Sequence, residues 1–420
     1  MNLLLKSVTI LDHTSDYHQK VKDILIENGT ITKINDQIEA PEGLEVFSYN
    51  NLHVSRGWFD SGVCFGEPGF EERETIVNGL KTAAYSGFTK VLFNPNTHPV
   101  VESKSDIAFI KEKAKNNVVT LEAISTLTKN GQGEELAELF DSHNAGAKGF
   151  YDYKSPISNP NLLKLALQYA QGFDGLVFSY PQENRIAGNG IVNEEETATY
   201  LGLKGIPSLA EDLQVARDLF LLEYTGGKLH IPTISTRGAV TLIRNAKKKG
   251  LNVSCSTTVH HLFFADEVLK DFDSNTKVLP PLRAQKDRNI LRDAVLDGTI
   301  DMVTSDHNPL NIELKKVEFD HAAFGTIGLE SSFGVLNKLF PTKQAIEILT
   351  RGTDRFGLKS TSIKEGNKAD LSLFDPDINY TFSKEHIQSS SKNSIFMEET
   401  LKGKPIGIIS NNKFVLAPKI

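Results

Sequence analysis

Residues 59–69 are F-D-S-G-V-C-F-G-E-P-G. It reads as a strand end, closed by Gly66-Glu67-Pro68-Gly69. Side chains one residue apart on a strand face the same way, so Gly62 and Cys64 share a face. Gly62 has no side chain with which to hold anything. Outward from here, strand and helix patterns alternate. Lys90–Phe93, Val118–Ala123, Ala147–Phe150, Leu176–Phe178, Lys228–Pro232, Leu251–Ser256 and Met302–Thr304 are strand-like. Between them, Glu71–Tyr85, Lys104–Lys115, Asn161–Gln171, Leu209–Thr225, Thr236–Lys249 and Ala284–Asp297 carry helical patterns. Repeated βα units imply a parallel sheet, and eight of them imply an α/β fold closed as a (β/α)8 TIM barrel. A doubly wound open sheet is the alternative, but no G-x-G-x-x-G follows the first strand.

The two ends read differently. Leu3–Ile10, Asp23–Glu27, Thr30–Ile34 and Leu44–Ser48 are short strands, with Asn28-Gly29 as a hairpin turn. Ala369–Phe374, Gly403–Ile409 and Lys413–Leu416 mirror them. Neither end can build a core alone, so residues 1–51 and 367–420 are expected to share a small β-sandwich, with 52–366 as the barrel. Residues 386–396, rich in serine and lysine, read as an exposed loop of that small domain.

The composition, 39% hydrophobic and 24% charged, is that of a globular protein with ample core material. A net charge of -7 argues against nucleic-acid or anionic-membrane binding. Cys64 and Cys255 are the only cysteines, too few for a disulfide framework or a cysteine-rich zinc site. The start alternates like a strand and lacks a signal peptide's apolar core. No apolar run approaches the ~20 residues that span a bilayer. The expected location is the cytoplasm.

The stretch Asp60–Gly69 resembles the D-x-H-x-H-x-R-E-P-G pattern of the cyclic amidohydrolases, and of dihydroorotases in particular. The resemblance runs through Asn94–Pro99, Ile186–Glu211, K-V-L-P-P-L-R at 277–283, D-G-T-I-D-M-V-T-S-D-H-N-P at 297–309 and F-G-T-I-G-L-E at 324–330. It implies a metal centre at the C-terminal mouth of the barrel. There zinc polarises a cyclic amide carbonyl and acidifies a bound water. The resemblance makes Asp306 the retained catalytic and metal-binding carboxylate, and His307 and Asn96 the retained substrate-binding groups.

The remaining ligand positions depart from the pattern. Gly62 and Cys64 stand at the two histidines of the first strand, Tyr180 at the histidine of H-C-E-D, and Thr233 at the second histidine of H-x-x-H-x-S-T. Tyrosine and threonine hydroxyls are poor zinc ligands beside imidazole. Lys148 and Asp152 are both candidates for the bridging group. The carboxylate-binding arginine is replaced by Gly66, the binding asparagine by Leu279, and the last histidine of D-H-A-P-H by Leu310. His230 is kept.

Other features have plainer readings. Cys64 reads as packing, having no histidine near it in sequence. His260-His261 read as support for a strand end. Ile186–Asn193, I-A-G-N-G-I-V-N, lacks the G-K-[ST] ending of a phosphate loop. Glu194–Glu196 suit a helix N-terminal turn.

These readings imply a pseudo-dihydroorotase of de novo pyrimidine biosynthesis, catalytically inactive and with no metal expected. Its implied role is as a homo-oligomer and partner of aspartate carbamoyltransferase. One alternative is an active cyclic amidohydrolase with a rearranged or single-metal zinc site. Another is a sensor that binds a ureido acid or cyclic imide.

Overall fold

The computed structural model describes residues 1–418. Its centre is a closed ring of parallel strands. Trp58–Val63, Phe88–Phe93 and Thr120–Ala123 pair in sequence order, and Leu176–Phe178, Lys228–Ile231, Val253–Thr258 and Met302–Thr304 form a second run. The segment around Phe150 bridges the two, pairing with Ser125 on one side and Val177 on the other, while Val63 pairs with His307 to close the ring. Ala147–Phe150 thus takes its expected place as the fourth barrel element, through isolated bridges and not a regular ladder. The α/β barrel expected from the sequence is the observed fold.

Alternation along the strands sorts the side chains. Phe59, Leu92, Tyr151, Leu176, Phe178 and Met302 fill the barrel interior together. Val91, Ala123, Phe150, Val177, Leu229 and Cys255 face the surrounding helices, as a parallel sheet covered on its outer face requires. Four of the expected helices fall within a residue or so of their observed limits: Pro160–Ala170, Ser208–Thr225, Arg237–Lys248 and Gln285–Leu296. The first starts at Ile76, not Glu71. Thr75 sets that start, its hydroxyl accepting from Asn78 N at 3.2 Å, and the Glu67 carboxylate accepts from Ile76 N at 2.9 Å.

The terminal segments form one hydrogen-bonded network of eight strands, drawn from both ends of the chain. Leu3, Leu5, Val8, Ile24, Ile26, Val54, Leu371, Leu373 and Ile409 make its core. Asn28 and Gly29 have φ of 52° and 75°, the paired positive values of the tight hairpin that the sequence implied. The strand His53–Arg56 belongs to this sheet through its pairing with Leu371–Phe374, so the chain enters the barrel after Arg56. Residues 419 and 420 of the expected small domain lie outside the described range.

Segment 386–396 is not an exposed loop. Ile387, Ser389, Ser391 and Asn393–Phe396 are buried, and the segment lies as a strap over the end of the eighth strand. The Asn393 side chain accepts from Leu310 N at 3.0 Å and donates to Asn308 O at 3.1 Å, while Ile395 N donates to Thr326 Oγ1 at 2.9 Å. Its serines and asparagine satisfy buried polar groups that an apolar segment would leave unpaired.

Candidate active site

A small cleft of about 20 Å³ opens at the C-terminal ends of the barrel strands, where barrels of this kind place their chemistry. Ser61, Gly62, Asn94, Tyr151, Tyr153, Lys154, His230, Thr233, Ser256, Thr304 and Asp306 line it. Two of its walls are held by the retained sequence frame. Asp60 lies beneath the mouth and joins the first strand to the eighth, accepting from Gly62 N (3.0 Å), Thr304 Oγ1 (2.6 Å) and Ser305 N (3.1 Å). Glu67 anchors the following helix and pairs with Lys113 at 2.6 Å. The frame residues are therefore structural members of the barrel.

Asp306 ends the eighth strand with φ 49°, and Lys154 follows the fourth barrel segment with φ 51°. Both are side-chain-bearing residues in the left-handed region, a conformation that costs free energy and tends to concentrate at functional sites. The Lys154 ammonium donates to Asp306 Oδ2 at 2.8 Å, and both side chains are buried, at 10% and 4% exposure. Burial pushes the Asp306 carboxyl up, and the Lys154 charge opposes that shift. The cation that faces this carboxylate belongs to the chain itself.

The other expected site residues are distributed as follows. Gly62 lines the cleft, and a Cβ there would meet Asn94 Nδ2 at 3.2 Å and Thr304 Oγ1 at 3.4 Å. Cys64 is buried, and burial pushes its thiol up to about 11 against the opposing hydrogen bond from Tyr153, so it is protonated near neutral pH. Tyr180 packs into the barrel interior with Tyr151 and Phe178, and burial holds its hydroxyl well above the ordinary tyrosine range. Thr233 lines the cleft at φ 51°. His230 also lines it, its Nδ1 2.8 Å from Ser254 Oγ and its Nε2 3.3 Å from Ser256 Oγ. Burial keeps this imidazole neutral by lowering its pKa well below the usual value.

Cys64 and Tyr180 are not part of the cleft lining, and four further expected candidates also stand outside it. Asp152 turns away and accepts from Leu127 N (2.9 Å) and Thr128 N (3.0 Å), holding the loop after the third strand. Lys148 lies 3.9 Å from Glu122. Neither occupies the cleft; Tyr153 and Lys154, which the sequence reading did not single out, do. His307 is fully buried behind the mouth, its Nδ1 accepting weakly from Gly328 N and Leu329 N (3.3 and 3.4 Å) and its Nε2 3.4 Å from Ser389 Oγ. Asn96 is half-buried, 3.5 Å from Asn308 Oδ1, and Asn94 takes the position at the cleft.

The positions at which the resemblance expects an arginine and an asparagine are Gly66 and Leu279. Gly66 has φ +82°, and a Cβ there would lie 2.6 Å from Phe70 O, so this backbone admits no arginine. Leu279 packs against the barrel interior. Arg283, at the end of the retained K-V-L-P-P-L-R, is buried and bonded to Ser235 Oγ (3.0 Å) and Ile206 O (2.8 Å), with Glu211 3.6 Å away. His261 bonds Thr258 Oγ1 (2.7 Å) and Pro281 O (3.2 Å), as a strand-end support would.

Zinc takes imidazole nitrogen, thiolate sulfur or carboxylate oxygen in a tetrahedral shell. Around Asp306 the chain offers a protonated thiol, two neutral hydroxyl types and an imidazole held by two serines, with an ammonium on the carboxylate. This donor set does not fit a zinc centre.

The barrel, the sheet built from both termini and the polar mouth together define a protein of the cyclic amidohydrolase fold. Solved structures of that kind superpose over nearly the whole chain. L-hydantoinase (dihydropyrimidinase) from Arthrobacter aurescens matches with a TM-score of 0.86, covering 99% of this chain and 96% of that one at 20% identity. Dihydropyrimidinase from Brevibacillus agri matches at 0.81, covering 99% and 95% at 22% identity. A family model described as dihydro-orotase-like matches residues 54–239. Dihydroorotase of Pelotomaculum thermopropionicum is 36% identical over 100% of both chains, and that of Geobacter metallireducens is 35% identical over 99% of both. The chain belongs to the dihydroorotase family.

Proposed function

We propose that this chain serves de novo pyrimidine biosynthesis without hydrolysing a cyclic amide, as a cytoplasmic structural partner of aspartate carbamoyltransferase. The observation that carries the loss of hydrolysis is the Lys154–Asp306 pair. In a metal hydrolase of this type the eighth-strand carboxylate must bind metal and relay a proton. Here it is bonded to a tethered ammonium inside a buried cleft. Lys154 supplies positive charge at the mouth but no open coordination position, so it cannot generate hydroxide from water as a bound metal does. Gly66 and Leu279 leave substrate without its clamping contacts, which removes positioning as well.

The partnership is supported by what was kept. Asp60, Glu67, Glu211 and Arg283 hold strands and helices together, so the scaffold outlasts the loss of its ligands. Purified protein assayed with dihydroorotate is expected to show no turnover above background, with or without added zinc. Turnover that disappears in Asp306→Ala overturns the inactive reading. Added to aspartate carbamoyltransferase from the same cell, the chain is expected to raise that enzyme's melting temperature by mass action. No shift and no co-sedimentation at micromolar concentrations overturns the partnership.

A further inference from the structure

The chain leaves the eighth strand after Thr304 and comes back beside it at Thr326, which pairs with His307. The excursion over 309–325 lies on the mouth side of the barrel and carries one short helix, Ile312–Lys315. Two lysines fasten it in opposite directions. Lys315 Nζ donates to Ala323 O at 2.9 Å and Gly325 O at 3.1 Å, with Lys277 O at 3.5 Å. Lys277, in the loop after the seventh strand, sends its Nζ the other way. It donates to Phe319 O and Asp320 O, both at 2.9 Å, and lies 4.9 Å from the ring centroid of Phe324. Backbone contact completes the closure, with Gly325 N donating to Lys277 O at 3.0 Å. Phe319 packs with Val192 and Ala198, so the excursion also touches the segment after the fifth strand. Lysine is almost never fully buried without a paired charge. Lys277 and Lys315 are only 3% and 4% exposed, and every acceptor they reach among the described residues is a backbone carbonyl.

We infer that the 309–325 excursion is a lid latched by these two lysines, and that it opens by taking up a proton on Lys315. Geometry separates the two amines. The two nearer carbonyls at Lys315 match the two N–H bonds of a neutral amine, whereas an aromatic face beside Lys277 favours an ammonium there. Burial pushes the Lys315 amine down to about 7, while a lysine in water titrates at ~10.4. The charged groups that face Lys315 are Asp273, which opposes the shift, and Lys277, which adds to it. Asp320 faces Lys277 instead and opposes the lowering that burial causes there. Above about pH 7 and below the ordinary lysine range, the open state therefore binds one more proton than the shut state. The sign follows: opening is favoured as pH falls through this window and levels off once the shut state is protonated too.

Neither lysine lines the cleft, so the latch stands whether or not the mouth hydrolyses anything. Hydrogen–deuterium exchange of the full chain from pH 9 to pH 6, divided by the intrinsic amide rate at each pH, tests it. The opening constant of peptides within 309–325 is expected to rise roughly tenfold per unit from pH 9 to pH 7 and to level off below that. Peptides from the helix Arg237–Lys248 are expected to show no such slope. Lys315→Met is expected to abolish the slope, and Lys315→Arg to hold the loop open at every pH. Lys277→Met is expected to loosen the loop yet keep the slope, because the titrating amine remains. The wild-type series needs no variant to fold. A wild-type opening constant that stays level between pH 9 and pH 7 overturns the inference, and so does a slope that survives Lys315→Met.

Discussion

Lys154 and Asp306 form a contact across 152 positions of sequence. Removing one partner of a buried pair leaves an uncompensated charge and costs on the order of 3–5 kcal/mol, more than removing both. Lys154→Met is accordingly expected to lose stability by about that amount in urea denaturation, and Asp306→Asn in the same chain to recover more than half. Independent, additive losses would show that the two groups do not depend on each other. Asp306 was legible because M-V-T-S-D-H-N-P is a long and specific motif. Lys154 was not: a single lysine after Tyr153 carries no motif, and only folding brings it to the eighth strand. The same limit left Lys148 and Asp152 undecided as bridging groups. Backbone direction in an irregular segment decides which side chain faces the mouth, and alternation cannot supply that direction where Phe150 makes only isolated bridges.

Among the elements, the strap at 386–396 shows how composition misleads. Serine and lysine usually signal solvent, but here short hydroxyl and amide side chains serve buried backbone. Ser389 bonds Glu330 Oε1 at 2.6 Å, and Ser390 Oγ bonds Glu74 Oε1 at 2.9 Å, tying the strap to two helix starts. Asn393→Ala would leave Leu310 N and Asn308 O without these partners, at about 1–3 kcal/mol for buried groups. The expected result is a lower melting temperature together with faster proteolysis within 386–396. An unchanged melting temperature would mean that the strap is held elsewhere. Most of the expected helices and barrel strands, by contrast, were readable to within a residue or two, because their apolar periodicity is set by the burial of one face.

For the whole molecule, closure of the ring between Val63 and His307 buries a set of neutral imidazoles. Burial pushes His261 down to about 3 and His230 well below its ordinary value. An unfolded histidine titrates near 6.5, so between about pH 6.5 and 3 the unfolded chain binds more protons than the folded one. The sign follows: their contribution is intact above pH 6.5 and is lost as pH falls. At ~1.4 kcal/mol per pH unit, each should account for about 2 kcal/mol by pH 5. Urea denaturation at pH 7 and pH 5 should show the loss, and His261→Gln should reduce it by roughly one histidine's share. Equal stability at the two pH values would contradict the buried neutral state.

In the proposed function, Lys154 and not a metal is the cation at the barrel mouth. Elemental analysis of the full chain, purified without chelator and dialysed against zinc-containing and then metal-free buffer, measures this directly. Far less than one zinc per chain is expected, unchanged by Asp306→Asn. One or more zinc ions per chain, lost in Asp306→Asn, would contradict it.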